Sequence, residues 1–518
     1  MPSSEWKTGM SFSENLSEKS EASLSRKQKL PRLSLLAAVL AVTFSVFFAD
    51  GYLQWINSDT AGEAYSLTQD IRFPQGLLSE NPHQPRTADH VISYYHSRIT
   101  GHILSYASFN IVGPIYRELF DAPVDSLYVA QGFMSGSIFV FLILISAAYV
   151  SCAAPVLSTR YLGAAALLTL FTMALPPVAW LNQPFGMTVR FSHLAVTSNY
   201  VGTIIFALCV FFPYWRYLCT GKWSDFYENA SLRIPFYTLL IAAVFSSTAT
   251  TLWMMIMAAG CCCFLLRHFF REGGGGAGKR LQGFLRDSRS RPLLLIIALG
   301  FVAIGAEVFT YHGHTSLAEF SLRSYLGALT GFFTSSADTK YIVSLFAFCL
   351  GIYLYHAMKD KSSAHLRTLH RALPWLLILN LLYILVIGMP NREYRFGGYN
   401  FGRDTIFPAT WTLSLWLFSV LIGYWREKRL YWLAPLLLYI LVTNALGFFT
   451  FPLAAVHQYQ KKVFERVRSL DGTLPPGTPI TIPAEGIAFN RGDCEIFTVP
   501  MLRRAGIVSP QRKVNVVP

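Results

Sequence analysis

Residues 233–270, RIPFYTLLIAAVFSSTATTLWMMIMAAGCCCFLLRHFF, decide how the chain is threaded through its fold. The stretch is apolar for nearly its whole length, apart from a run of small, mostly hydroxylated residues at 246–251. It can form one long helix, or two helices joined by a tight turn at that run. The choice matters because a single helix would invert the side on which every later segment lies.

The composition indicates a membrane protein. Hydrophobic residues make up 53% of the 518 residues and charged residues only 14%, against about 25% charged in an ordinary soluble chain. Apolar runs recur along the chain at nearly the length that a helix needs to cross a bilayer. We therefore predict an all-α polytopic membrane protein with about eleven transmembrane helices. The predicted spans are 33–49, 126–150, 161–178, 198–215, 233–246, 250–267, 293–311, 341–357, 374–388, 408–424 and 430–449.

The distribution of basic residues decides between one long helix and two helices joined by a turn. The net charge of +14 comes from Lys and Arg that cluster in short segments between apolar runs, which is the positive-inside pattern and disfavours nucleic acid as a partner. A turn at 246–251 puts the basic segment 267–292 on the same side as the basic N-terminus. The inside segments then hold 24 Lys and Arg and the outside loops hold 10. We therefore predict a hairpin, with the N-terminus in the cytoplasm.

This orientation divides the chain, taken as an inner-membrane protein, into three parts. Residues 1–32 are predicted to be a disordered cytoplasmic tail, residues 33–449 the transmembrane domain, and residues 450–518 a periplasmic tail. The outer loop at 50–125 is predicted to contain interfacial helices. Prolines and β-branched residues at 474–486 predict short strands, so the tail is expected to be a small α/β unit. Its nine basic residues run against the charge rule, which is weaker for long segments.

The first candidate site residue is Asp50, in FADGYLQW (48–55), where the first apolar run meets the outer boundary. A carboxylate there could act as a general base if an acceptor hydroxyl comes within hydrogen-bond distance. It could equally be an ordinary acid at a helix end. Asp59, Glu63 and Asp70 follow in the same loop and could take its role.

Two outer segments combine arginine with aromatic residues. SYYHSRITGHIL (93–104) contains Tyr94, Tyr95, His96 and Arg98; on a helix Tyr94 and Arg98 share a face, and Arg98 could bind a phosphate in bidentate fashion. The second segment, MPNREYRFGGYNFGRDTIFP (389–408), interleaves arginine with rings suited to a phosphate-bearing sugar. Its candidates are Arg392, Arg395, Tyr399 and Arg403. The alternative for both segments is arginine and aromatic residues that contact lipid headgroups.

Glu307 is the remaining candidate, because an ionisable residue inside a predicted span is costly and commonly functional. His312 and His314 follow it, but two histidines without a third ligand are a weak metal signal. We predict no metal and no organic cofactor, with a divalent metal as the alternative.

Together these motifs resemble the GT-C superfamily of bacterial membrane glycosyltransferases, which take sugars from polyprenyl-phosphate carriers. The resemblance rests on an Asp after the first span, the YYHSRITG segment in a long outer loop, the late GRDTIFP segment before a span, and an outer C-terminal tail. It implies Asp50 as the catalytic acid, with Arg98 and Arg403 near the donor phosphate. Many members have two adjacent acids after the first span, whereas Gly51 follows Asp50 here, which keeps Asp59 as a competitor.

The sequence therefore predicts a transferase that moves sugar from a lipid-linked donor to a glycan, lipid or protein acceptor. One alternative is a transporter or flippase of lipid-linked oligosaccharides, which would require paired ionisable residues deep in several spans and internal repeats. Others are an O-antigen polymerase or ligase, an acyltransferase, or a non-catalytic assembly subunit.

Overall fold

The computed structural model describes the chain in several ranges. They are residues 26–56, 60–61, 99–152, 154–174, 197–220, 223, 230–272, 276–310, 321–335, 347, 349–351, 353–354, 364–388, 406–428, 453–485, 487–488 and 491–517. Within these ranges the protein is mostly helical, with a single two-stranded sheet.

The elements follow one another in this order. The first half contains α1 (Arg26–Tyr52), α2 (Ile99–Ala107), α3 (Gly113–Phe120), α4 (Pro123–Val150), α5 (Thr159–Ala174), α6 (Thr203–Thr220), α7 (Ala230–Val244) and α8 (Thr248–Glu272). The second half contains α9 (Ala277–Arg286), α10 (Ser290–Thr310), α11 (Leu322–Ser335), α12 (Ala364–Ile387), α13 (Phe407–Lys428), α14 (Leu453–Thr473), β1 (Ile480–Pro483), α15 (Arg491–Asp493), α16 (Val499–Arg504) and β2 (Val514–Val517). Short π-helical segments occupy Ser108–Val112, Thr197–Gly202 and Cys494–Thr498.

Helices of membrane-spanning length form the centre of the described chain. Five are long and apolar enough to cross a bilayer, and α9 with α10 makes a sixth if that bent pair is counted as one span. The five are Lys29–Tyr52, Pro123–Val150, Tyr200–Thr220, Thr248–Phe270 and Leu366–Ile387. This architecture is consistent with a helical membrane protein. The count of eleven stays a prediction, because the predicted spans 341–357 and 430–449 lie largely outside the described residues.

The chain breaks where the hydroxyl-rich run predicts a turn. The break covers residues 245–247, between α7 and α8. Ser247 Oγ accepts a hydrogen bond from the backbone N of Thr250 at 3.2 Å and so caps α8. The hydroxyl of Thr250 is also 2.8 Å from that of Thr203, the first residue of α6. The break therefore lies at the end of the bundle where α6 begins, as the hairpin predicts.

Small residues let α1 and α4 approach each other closely. A Cβ added at Gly132 would lie 2.8 Å from the carbonyl oxygen of Phe48, and one added at Gly51 would lie 2.6 Å from Cβ of Ser135. Gly136 also faces α1, four residues after Gly132. Small residues at this spacing commonly mediate helix contacts in membranes. The end of α1 is therefore held against the first half of α4.

The first helix extends beyond its predicted limits at both ends. It begins at Arg26, so the predicted boundary between residues 32 and 33 falls inside the helix, and Asp50 lies in its last turn rather than in a loop. Hydropathy marks the limit of the membrane, whereas a helix continues as long as its backbone hydrogen bonds are satisfied. Residues 1–25 lie outside the described chain.

The predicted helices of the first outer loop are present as α2 and α3. Together with the π-helical segment Ser108–Val112 between them, they run antiparallel to α4. Ser108 Oγ donates to the carbonyl of Ala130 at 2.5 Å, and Gly113 faces the carbonyl of Ser126. Their outward surface is apolar, with exposed side chains at Ile111, Ile115 and Leu119. A helix with such a stripe is suited to contact lipid.

The C-terminal tail forms an α/β unit, and the predicted strand region contains β1. Strands β1 and β2 pair in parallel, with Ile480 opposite Val514. Arg512, which is 7% exposed, joins the unit to α14 through a hydrogen bond from Nε to Asp471 Oδ1 at 2.7 Å. Its guanidinium also donates to the carbonyls of Asp471, Leu474, Pro475 and Thr478. One buried arginine therefore fixes the turn between α14 and β1.

We expect Arg512→Met to destabilise the tail by about 3–5 kcal/mol, the usual cost of removing one partner of a buried ion pair. The variant removes the charged partner of the Asp471 carboxylate and the guanidinium donors of several carbonyls. Proteolysis of the folded protein at neutral pH should then cut within residues 471–517 in the variant, while the parent tail resists.

The same pair makes tail stability depend on pH. Burial alone would raise the pKa of Asp471, but hydrogen bonds from Ser509 and Arg512 together with the Arg512 charge lower it. A lowered folded pKa means that this stabilisation is present above the unfolded value of about 3.9 and is lost as pH falls through the folded pKa. Pepsin should therefore release the parent tail increasingly as pH falls, relative to Asp471→Asn. Equal pH profiles for the two proteins would contradict this assignment.

Candidate functional site at the end of the first helix

Asp50 is a buried carboxylate at the end of a membrane-length helix. It is 4% exposed, and among the side chains that the structure describes it is the one fully buried Asp or Glu. Its Oδ2 accepts a hydrogen bond from Gln54 Nε2 at 3.3 Å. A buried carboxylate is retained only where polar groups stabilise it, so the surroundings of Asp50 are the first place to look for a site.

The turn that carries Asp50 is fastened to α4 by Gln131. Gln131 is fully buried, and its Nε2 donates to the carbonyls of Gly51 at 2.7 Å and Gln54 at 3.1 Å. The last carbonyls of a helix have no partner within the helix. Here a side chain from the neighbouring helix binds one of them, that of Gly51, and also the carbonyl of Gln54 just after the helix ends. This holds the backbone directly after Asp50 and so restricts the position of its carboxylate.

The tail helix α14 closes over the same turn. Gln460 is fully buried; its Nε2 donates to the carbonyl of Ile56 at 2.8 Å, and its Oε1 accepts from the backbone N of Ile56 at 2.9 Å. Its Oε1 also accepts from Tyr128 Oη of α4 at 3.1 Å. One amide side chain thus joins the segment after α1 to α4 and to the tail.

An ion pair lies next to this contact. Asp125, at the start of α4, accepts hydrogen bonds from Lys461 Nζ at 2.6 Å and from Tyr52 Oη at 2.9 Å. The hydrogen bond to Asp125 is the main reason that the pKa of Lys461 is raised, so its ammonium is charged at neutral pH. The three side chains connect α1, α4 and α14 at one end of the bundle.

His457 completes the tail side of the cluster. It is 4% exposed, its ring lies 4.4 Å from that of Tyr128 in an edge-on arrangement, and it is hydrogen-bonded to the backbone of Gln54. Burial lowers the pKa of His457, and the nearby Lys461 charge lowers it further. The imidazole is therefore neutral at pH 7. The tail helix therefore contacts the residue whose side chain donates to Asp50.

We expect Gln460→Leu to loosen this end of the bundle. The substitution removes the partner of two buried backbone groups of Ile56, each of which costs about 1–3 kcal/mol when left unsatisfied. Thermal unfolding of the purified protein should begin at a lower temperature than in Gln458→Leu, a variant on the same helix that removes an exposed glutamine. Equal unfolding temperatures for the two variants would show that the hydrogen bonds of Gln460 contribute nothing to stability.

No family model, curated protein or solved structure matches this chain.

Most of the residues predicted for the site lie outside the described chain. These are Asp59, Tyr94, Tyr95, His96, Arg98, Arg392, Arg395, Tyr399 and Arg403. Glu307 belongs to α10, but its side chain is outside the description too. Their roles stay predictions, as does the absence of a metal or cofactor.

The described helices that adjoin these segments are hydrogen-bonded to other helices of the bundle. Helix α2 begins at Ile99, directly after Arg98, and Thr100 Oγ1 donates to the carbonyl of Ala242 near the end of α7 at 2.7 Å. Helix α13 begins at Phe407, which is fully buried, and Trp411 Nε1 donates to Ser146 Oγ of α4 at 3.1 Å. Both arginine-bearing segments therefore continue into helices that are hydrogen-bonded to the bundle, α2 to α7 and α13 to α4.

The sequence reasoning missed the residues that hold Asp50 in place. His457, Gln460 and Lys461 are spaced i, i+3 and i+4 on α14, so they share one helix face. That spacing, just after the last predicted span, was a detectable signal for a helix that docks. Gln131 carried no comparable signal, since a single polar residue in an apolar span does not reveal its partner.

Proposed function

We propose that this chain is a membrane glycosyltransferase that moves a sugar from a polyprenyl-phosphate donor to a glycan, lipid or protein acceptor. The supporting observation is Asp50, a buried and positioned carboxylate at the end of a helix long enough to cross the membrane. A lipid-linked donor presents its phosphate at headgroup level with its chain in the bilayer. A base at a helix end lies at the corresponding depth.

In the proposed reaction Asp50 accepts the proton of the acceptor hydroxyl. The acceptor oxygen forms a bond to the sugar C1 while the bond from C1 to the phosphate oxygen breaks, and polyprenyl phosphate leaves. General base catalysis of this kind commonly contributes about 10²- to 10⁴-fold. No covalent nucleophile and no metal is required, provided that cationic groups stabilise the leaving phosphate.

The phosphate contacts are assigned to Arg98 and Arg403, with Arg392 and Arg395 as further cations. Arginine is suited to this task because its planar guanidinium matches phosphate oxygens in bidentate fashion. Tyr94, Tyr95, His96, Tyr399 and Glu307 are proposed to contact the sugar or acceptor. If Asp50 does not act as the base, Asp59 is the alternative.

We propose that the site faces the periplasm of a bacterial inner membrane. The support is the charge distribution, together with the contact of the C-terminal tail with the end of α1. The long first loop, the tail and Asp50 then share one side, and the short basic links lie on the other.

The test is sugar transfer by the purified protein in liposomes. Radiolabelled polyprenyl-phosphate sugars are supplied with an envelope extract as acceptor, and the label should move from the lipid to the acceptor fraction. Movement of intact lipid-linked sugar between leaflets without transfer would favour a flippase. Label that stays on the lipid, with none reaching the acceptor fraction, would contradict the proposal.

A further inference from the structure

Helix α9 has an apolar face and a basic face. Phe284 is 3% exposed and contacts Phe269 of α8, whereas Leu281 and Leu285 are 47% and 50% exposed on the same side. Lys279 and Arg286 are exposed and lie on the opposite side of the helix. Phe284 therefore packs this ten-residue helix against α8, while the side chains of Leu281 and Leu285 stay exposed.

The direction of α9 is fixed relative to the span that follows. The axes of α9 and α10 differ by 82°. Within the elbow, Arg289 donates to Asp287 from Nη2 at 2.7 Å, and the backbone N of Arg289 donates to the same carboxylate. Ser290 Oγ donates to the carbonyl of Phe284, which closes the end of α9. These hydrogen bonds hold the bend in a fixed geometry. Because the bend is close to a right angle, an α10 that crosses the membrane places α9 close to the membrane plane.

The elbow lies at the far end of the bundle from Asp50. Helix α6 begins beside the break that precedes α8, and its last turns reach the elbow, where Tyr214 Oη donates to the carbonyl of Arg289 at 2.6 Å. Arg289 also lies over the ring of Tyr217 at 5.7 Å. Helix α9 is therefore on the other membrane surface from the candidate site.

We propose that α9 lies in the membrane surface opposite the candidate site and binds anionic phospholipid headgroups. Leu281 and Leu285 enter the boundary between headgroups and acyl chains, as the apolar face of an interfacial helix does. Lys279 and Arg286 then lie at headgroup level, where basic side chains attract anionic lipids. Arg280 reinforces the arrangement by donating from Nη1 to the carbonyl of Phe270 at 2.8 Å, which ties α9 to α8. The inference does not depend on the proposed transferase activity.

The experiment is native mass spectrometry of the full chain in detergent, titrated with phosphatidylglycerol or with phosphatidylcholine. The parent protein should retain phosphatidylglycerol preferentially. K279Q/R286Q should weaken that retention by about tenfold, since each basic residue near the surface contributes to the attraction. Phosphatidylcholine binding should not change.

The matched control is K462Q/R466Q, which removes two exposed charges from α14 at the other end of the bundle. This variant should retain phosphatidylglycerol as the parent does. A second variant, L281Q/L285Q, tests the apolar contact. It should weaken the retention of both phosphatidylglycerol and phosphatidylcholine. Equal loss in the α9 and α14 charge variants, or retention of phosphatidylglycerol in K279Q/R286Q, would overturn the proposal.

Discussion

Asp50→Asn is expected to lower sugar transfer by about 10²- to 10⁴-fold, the usual contribution of a general base. Asparagine has the same shape as aspartate, and its Oδ1 can still accept the hydrogen bond that Gln54 donates to Asp50. The substitution therefore removes proton acceptance and leaves the surrounding contacts in place. Transfer of labelled sugar in liposomes measures the first effect, and thermal unfolding confirms the second.

Two further variants make the result specific. Glu118→Gln neutralises an acid in α3 whose side chain is 76% exposed, and this variant should transfer sugar normally. Asp59→Asn tests the competing base. Loss of activity in Asp59→Asn with normal activity in Asp50→Asn would move the catalytic role to Asp59. Normal transfer in both variants would rule out either acid as the base.

Gly132→Val is expected to have a large effect on the packing of α1 against α4. Any Cβ at this position would lie 2.8 Å from the carbonyl oxygen of Phe48 and 3.2 Å from its ring. Backbone cannot move aside as a flexible side chain can, so α1 must separate from α4. Overpacking typically costs about 1–3 kcal/mol, and we expect the upper end of that range. Because Gly51 and Gln131 belong to the same contact, transfer activity should fall as well.

The control for this prediction is Gly163→Ala in α5. An added Cβ there meets no atom within 4 Å, and alanine is favoured over glycine in a helix by about 0.5–1 kcal/mol. Gly163→Ala should therefore unfold at the parent temperature or slightly above it. The packing account fails if Gly132→Val unfolds at the same temperature as Gly163→Ala.

The features that could be predicted from sequence are local ones. The break between α7 and α8 was predictable because hydroxyl side chains cap helix ends, as Ser247 does for α8. Helices α4, α8 and α10 were predictable because each coincides with a long apolar run. The strand in the tail was predictable from the β-branched residues around Ile480.

The contacts that hold Asp50 depend on residues far apart in sequence. Lys461 and Asp125 are 336 positions apart, and Gln460 and Ile56 are 404 positions apart. Hydropathy patterns carry no information on which helix ends meet. The pair Gly132 and Gly136 is different, because small residues four positions apart in an apolar helix are a recognisable packing signal.

The most direct measurement of the central claim is mass spectrometry of surface glycans from cells that carry the gene, lack it, or carry it with Asp50→Asn. The account predicts that a sugar present on the surface of parent cells is missing from both of the others. It also predicts that the lipid-linked donor accumulates in them. Identical glycans in all three strains would contradict the assignment of this chain as a glycosyltransferase with Asp50 as its base.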